Sequence, residues 1–102
     1  MKIRDRERIL DIAKMVREEI IDLFGDTEGV CDNASSRMKS YLVQEGYDAK
    51  IQWGWYKNPD LGLCHCWVEV LGYIIDVCLD QFGGETEEIV FTSKKDRRYR
   101  RR

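Results

Sequence analysis

The segment that most constrains the fold of this chain is residues 64–82, which contains its only histidine. It reads Cys-His-Cys-Trp-Val-Glu-Val-Leu-Gly-Tyr-Ile-Ile-Asp-Val-Cys-Leu-Asp-Gln-Phe, with apolar runs on both sides of a glycine. Such a pattern is typical of a β-hairpin with a tight turn. We predict strands over Cys64–Val70 and residues 73–79, joined at either Leu71-Gly72 or Gly72-Tyr73.

The hairpin assigns its polar residues to faces, because side chains alternate between the two sides of a strand. In both registers His65 and Asp76 lie on the same face. With the turn at Leu71-Gly72 they are diagonal neighbours, close enough for the carboxylate to orient the imidazole as a general base. With the turn at Gly72-Tyr73, Asp80 lies opposite His65 and is the alternative orienting group.

The four cysteines, at positions 31, 64, 66 and 78, are predicted to be free thiols. Cys64 and Cys66 share a strand face with two valines, so we predict that both belong to the core, while Cys78 shares the face of His65. A zinc site made of Cys64, His65 and Cys66 with Cys31 or Cys78 is a less favoured alternative. Neighbouring strand residues point to opposite faces, and the chain has no Cys-x-x-Cys pair. We therefore predict neither a metal nor a cofactor.

Two amphipathic helices precede the hairpin. Apolar residues recur at helical spacing over residues 4–24 and again over Cys31–Gln44, and Gly25 and Gly46 follow as stop signals. This places Cys31 in the first turn of the second helix, where free N–H groups and the helix dipole favour a thiolate. A buried, unreactive thiol is the alternative for this cysteine.

Further strands complete the predicted fold. Residues Ala49–Tyr56 alternate with period two, and we predict that Trp53 and Trp55 lie in the core rather than on a ligand-stacking platform. A loop with Pro59 follows over residues 57–63, and a last strand is predicted over residues 87–92. The fold class is therefore α+β, with two N-terminal helices packed on a small antiparallel sheet of about four strands.

Length and charge limit the organisation. The 102 residues allow one domain, residues 1–93, followed by a basic tail at residues 94–102 with seven basic groups and one acidic group. We expect this tail to be solvated rather than to bind nucleic acid, because no other basic patch supports such a face. The acidic remainder slightly favours a cationic substrate. No apolar run approaches the roughly 20 residues of a membrane span, and the charged N-terminus predicts no secretory signal and a cytoplasmic location.

The order of a cysteine at a helix start, a histidine on one strand and an aspartate on the next resembles the transglutaminase-like (papain-related) cysteine enzymes. The matching residues cover roughly residues 29–82, about half of the chain. They are Gly29-Val30-Cys31 with Ser35, then Leu42 and Gly46, His65-Cys66-Trp67-Val68-Glu69-Val70, Ile74-Ile75-Asp76-Val77 and Asp80-Gln81-Phe82. Small bacterial members of the family are similar in the third segment.

The resemblance implies a catalytic triad in which Cys31 is the nucleophile, His65 the base and then the acid, and Asp76 the residue that orients His65. The reaction would be acyl transfer from a peptide or amide through a thioester, by hydrolysis or transamidation. The Cys31 N–H is one candidate oxyanion donor, with Gln81 or the loop at residues 26–29 as the second. An inactive interaction module with the same fold is the alternative. Cys78 occupies a position where relatives often have threonine.

Overall fold

The computed structural model describes residues 1–57, 64–82 and 84–102. These residues form two helices and five strands and confirm the α+β prediction. The helices are α1 (Ile3–Phe24) and α2 (Cys31–Gln44). The strands are β1 (Ala49–Tyr56), β2 (Cys64–Val70), β3 (Tyr73–Asp76), β4 (Val90–Ser93) and β5 (Tyr99–Arg101), and a 3₁₀ turn at Leu79–Gln81 follows β3. Most of the loop predicted at residues 57–63 lies outside the described residues.

The strands form one antiparallel sheet in the order β4-β3-β2-β1-β5. The fifth strand comes from the predicted tail, where Tyr99 lies opposite Tyr56 and is buried. The buried side chain of Tyr99 thus anchors the C-terminal segment, which was predicted from its charge to be a solvated tail. Gly54 permits this pairing, because a Cβ at that position would overlap the carbonyl of Arg100 and the ring of Trp67.

The hairpin has the first of the two predicted registers. Val68 lies opposite Ile75, and Leu71 and Gly72 form the turn with φ values of 53° and 82°. The strand predicted over residues 73–79 ends earlier, at Asp76, because the chain turns there and the Cys78 N–H donates to the Asp76 carboxylate (2.9 Å). Cys78 therefore does not share the face of His65, as predicted, but is buried in the core beneath the helices.

Two apolar cores lie on opposite faces of the sheet. The larger one, between the helices and the sheet, contains the buried apolar side chains of α1 from Ile9 to Ile20. The last two apolar residues of α1, Leu23 and Phe24, are exposed. The smaller one covers the other face and consists of Tyr56, Trp67, Ile74, Leu79, Val90 and Tyr99. Neither helix in the described part of the chain is long and apolar enough to cross a membrane.

The prediction that Trp53 and Trp55 belong to the core was wrong. Trp53 is 40% exposed and Trp55 is half-buried, whereas Tyr56 on the opposite face is buried. Tyr56 stacks on Phe82, with ring centroids 5.3 Å apart, and packs edge-on against Tyr99. These contacts make the Tyr56 face the buried one at this end of β1. Cys64, which pairs with Trp55, is also exposed rather than buried.

Candidate active site

The structure brings His65 and Asp76 into direct contact. The imidazole Nε2 and the carboxylate Oδ2 are 2.7 Å apart, and both residues are buried. Because the carboxylate accepts the Nε2 proton, Nδ1 is the ring nitrogen left to exchange protons with a reacting group. His65 and Asp76, as diagonal neighbours in the hairpin, therefore have the geometry that a histidine base requires.

The Asp76 carboxylate accepts two further hydrogen bonds. The Tyr99 hydroxyl donates to the same oxygen as His65 (2.9 Å), and the Cys78 N–H donates to the other oxygen (2.9 Å). Three donors thus fix the carboxylate in place. The sequence did not indicate a role for Tyr99, since this residue lies in the predicted basic tail. The feature that could have revealed its role is that it is the only aromatic residue among residues 94–102.

Cys31 is the first residue of α2 and is partly exposed. Hydrogen bonding from the Cys66 thiol lowers the pKa of Cys31 below its ordinary value of 9.0; burial opposes this, and hydrogen bonding and charge attraction from His65 add to it. The pKa of Cys66 is raised, because its thiol serves as a donor to Cys31 and is buried. Cys66 also lies 3.6 Å from the Ser35 hydroxyl. The partly exposed sulfur is therefore the one that ionises.

His65 has the complementary shift. Burial lowers the pKa of His65, but the Asp76 hydrogen bond and the Cys31 thiolate outweigh burial and raise this pKa to about 9. A thiolate and an imidazolium therefore coexist from the lowered pKa of Cys31 up to about pH 9. Such a pair supplies a nucleophile and a proton donor together.

A third cysteine lies near the pair without taking part in it. Cys78 lines a cavity of about 10 Å³ together with Cys31, Cys66 and Asp76. Burial raises the pKa of the Cys78 thiol, so it stays protonated beside the reactive sulfur. The cavity has room for about one water molecule. Any molecule that reacts with Cys31 must therefore approach it from its exposed side.

Gln81 connects the histidine to the loop before α2. Its Nε2 lies 3.1 Å from His65 Nδ1, and its Oε1 accepts a hydrogen bond from the Gly29 N–H (3.4 Å). Both groups that the sequence left open as oxyanion donors, Gln81 and the loop at residues 26–29, therefore adjoin the start of α2. The two groups are hydrogen-bonded to each other at this position.

Asp80, the alternative orienting residue, binds elsewhere. Its carboxylate accepts from both terminal nitrogens of Arg17 (2.7 and 2.6 Å) and from the Thr27 hydroxyl (2.9 Å). The hydrogen bonds from Arg17 lower the pKa of Asp80. Arg17 also donates to the Val77 carbonyl (2.9 Å). The Arg17–Asp80 pair thus ties α1 to the turn after β3 and supports the position of Asp76.

The remaining residues of the His-x-Trp-x-Glu pattern are structural. The Trp67 indole donates to the Glu69 carboxylate (3.3 Å), which also forms an ion pair with Arg101 of β5. Residues 1–57, 64–82 and 84–102 contain no group of three or more His, Cys, Asp or Glu side chains that could hold a metal ion. His65 and Cys66 lie on opposite faces of β2, as expected for neighbouring strand residues.

Comparisons with protein-family models, curated proteins and solved structures gave no significant match to this chain.

Proposed function

We propose that this protein is a cysteine-dependent acyl-transfer enzyme of the transglutaminase-like type, with Cys31, His65 and Asp76 as its catalytic triad. The observation that carries the proposal is the buried His65–Asp76 hydrogen bond beside a thiol at the start of a helix. The raised pKa of His65 and the lowered pKa of Cys31 support it. The substrate is a peptide or another amide, and the four free thiols suit a reducing compartment such as the cytoplasm.

The proposed reaction begins when the Cys31 thiolate attacks the amide carbon and forms a C–S bond. The resulting oxyanion is stabilised by the Cys31 N–H, with a second donor from Gln81 or the loop before α2. As the C–N bond breaks, His65 Nδ1 donates its proton to the departing amine and leaves a thioester. His65 then accepts a proton from water or a second amine, which attacks the thioester and restores the thiolate.

An interaction module without turnover is the second candidate function. The observation that favours it is the position of Gln81, whose amide nitrogen lies within hydrogen-bond distance of His65 Nδ1. If this amide stays in place, it occupies the ring nitrogen that the reaction needs. In such a module the Cys66 hydrogen bond would still lower the pKa of Cys31, but no acyl group would be transferred.

The test is capture of an acyl-enzyme on Cys31. Wild-type protein, Cys31→Ser and the matched control Cys64→Ser, which replaces an exposed thiol outside the triad, are incubated with p-nitrophenyl acetate and with a glutamine-containing peptide. Intact-mass spectrometry and release by hydroxylamine report the thioester. We expect the adduct and turnover of one donor in the wild type and in Cys64→Ser but not in Cys31→Ser. An equal adduct on all three proteins would contradict the proposal.

The same measurement separates the two candidates. An adduct from the activated ester without release of product from the peptide would favour the interaction module. The variant Gln81→Ala then tests whether Gln81 blocks His65. If it does, removal of the amide frees Nδ1 and should increase the rate of thioester hydrolysis.

A further inference from the structure

A surface of two tryptophans and two arginines lies beside the proposed nucleophile. In one row across the sheet, Trp55 lies between its strand partners Cys64 and Arg100. In the next row, Trp53 lies opposite Cys66 on one side, and its carbonyl accepts the Arg102 N–H (3.0 Å) on the other. Directly opposed residues of an antiparallel sheet project to the same side. The side chains of Trp53, Trp55, Arg100 and Arg102, called here the tryptophan–arginine surface, therefore share one face.

This surface adjoins Cys31. The Cys66 thiol, opposite Trp53, lines the same small cavity as Cys31 and contacts Ser35 of α2. Cys66 thus connects the strand position of Trp53 to the cavity that Cys31 lines. Trp53 is 40% exposed, and Trp55 is half-buried. An extended substrate that places its amide carbon at Cys31 can therefore lay its neighbouring residues across both indoles.

The charge on this surface is positive and available. The Arg102 guanidinium lies 5.9 Å from the centre of the Trp55 ring and donates to the Cys64 sulfur (3.6 Å), while Arg100 donates to the Lys57 carbonyl (2.7 Å). Within the described part of the chain, neither guanidinium has a carboxylate within 4 Å. By contrast, Arg98 and Arg101 of the same segment are paired with acids. Within the described residues, Arg100 and Arg102 thus place two guanidinium groups without an ion pair next to the indoles.

We propose that the tryptophan–arginine surface binds the acyl donor as an acidic peptide, with an apolar side chain on the indoles and a carboxylate on Arg100 or Arg102. This rests on the proposed acyl-transfer function. The negative charge of the rest of the chain favoured a cationic substrate, whereas the positive charge of this surface favours an acidic one. A nucleic acid fits less well, because residues 1–93 carry ten basic and eighteen acidic groups and repel a long polyanion. A short peptide meets only the basic surface.

The experiment uses two peptidyl chloromethyl ketones that differ only in an aspartate or a lysine two residues before the reactive group. The second-order rate of alkylation at Cys31 is measured by peptide mass spectrometry and divided by the iodoacetamide rate of the same variant. We expect the wild type to prefer the acidic probe by about 5-fold, as suits one or two exposed ion pairs, and the preference to shrink in high salt.

The variants are Arg102→Gln, Arg100→Gln and Trp53→Ala, with the exposed Arg97→Gln as the matched control. The arginine variants should lose the preference, Trp53→Ala should slow both probes, and Arg97→Gln should retain the wild-type preference. Equal rates for both probes, or a preference that survives in both arginine variants, would overturn the inference. Protection of Cys31 by single-stranded RNA without a peptide preference would also overturn it. If iodoacetamide itself reacts with Cys31 no faster than with Cys64, the proposed function fails instead.

Discussion

Replacing Asp76 by asparagine removes one negative charge from the centre of the site with little change in shape. In the wild type the pKa of His65 is raised from 6.5 to about 9 although burial opposes the imidazolium. That difference corresponds to about 3 kcal/mol in favour of the charged ring. Without the carboxylate, burial dominates and we expect the pKa of His65 to fall below 6.5. An amide N–H facing Nε2 also reverses the tautomer, so that Nδ1 carries the proton.

The effect on Cys31 follows from the loss of the imidazolium. The Cys66 hydrogen bond remains, so a return of the pKa of Cys31 from about 5 to about 8.5 is the upper limit, at which about 0.3% of the thiol is ionised at pH 6. The more basic thiolate is also a better nucleophile, with a Brønsted coefficient of about 0.45, which recovers roughly a factor of 40 over this range. The expected net loss of alkylation rate at pH 6 is therefore at most on the order of 8-fold.

Two measurements check this prediction. The chain has one histidine, so an NMR titration of its ring proton reports the pKa of His65 without assignment. Peptide-resolved iodoacetamide kinetics from pH 5 to 10 report Cys31, with exposed Cys64 as the internal reference. Asp48→Asn, at an exposed aspartate, is the control. A wild-type rate profile for Cys31 in folded Asp76→Asn would refute the role of the His65–Asp76 pair.

Three further predictions concern the support of the site. Tyr99→Phe removes one donor from the Asp76 carboxylate; we expect the unfolding free energy to fall by about 1 kcal/mol and the NMR-measured pKa of His65 to rise, and an unchanged pKa would contradict this. Gly54→Ala places a methyl group against the β5 backbone; urea denaturation should show a loss of about 1–3 kcal/mol, and a wild-type midpoint would show that β5 is not packed as described. Between pH 6.5 and 9, His65 in the folded protein holds a proton that the unfolded chain has released, so its contribution to stability falls as pH rises. Cys31 in the folded protein has lost a proton that the unfolded chain keeps, so its contribution to stability rises with pH. The two effects cancel, so wild-type stability should be flat over this range and Cys31→Ser should lose stability as pH rises; parallel curves would refute the ion pair.

The C-terminal segment contributes to the site in three ways. Tyr99 donates to Asp76, Arg101 pairs with Glu69, and Arg100 and Arg102 place positive charge beside the tryptophans. Composition alone made this segment look like a solvated tail. Its strand character comes from one buried tyrosine and from the glycine on β1 that leaves room for it.

The helices and the hairpin were predictable because their signals are local. The bounds of α2, β1 and β2 agree with the predicted ones, since helical and strand periodicity depend on neighbouring residues. Cys31 at a helix start follows from the same pattern. The shared face of His65 and Asp76 follows from strand alternation in either register. The sequence could not choose between Asp76 and Asp80, because that choice depends on the turn and on Arg17 of α1.

By itself, the sequence determined the fold class, the helix start at Cys31 and the side of the hairpin that carries His65. Only the tertiary structure decided which face of β1 is buried, where Cys78 points and which residues complete the Asp76 network. The physical reason is that alternation fixes relative direction along one strand, whereas burial depends on what packs over it. On β1 the aromatic cluster around Tyr56 covers one face and leaves Trp53 exposed on the other.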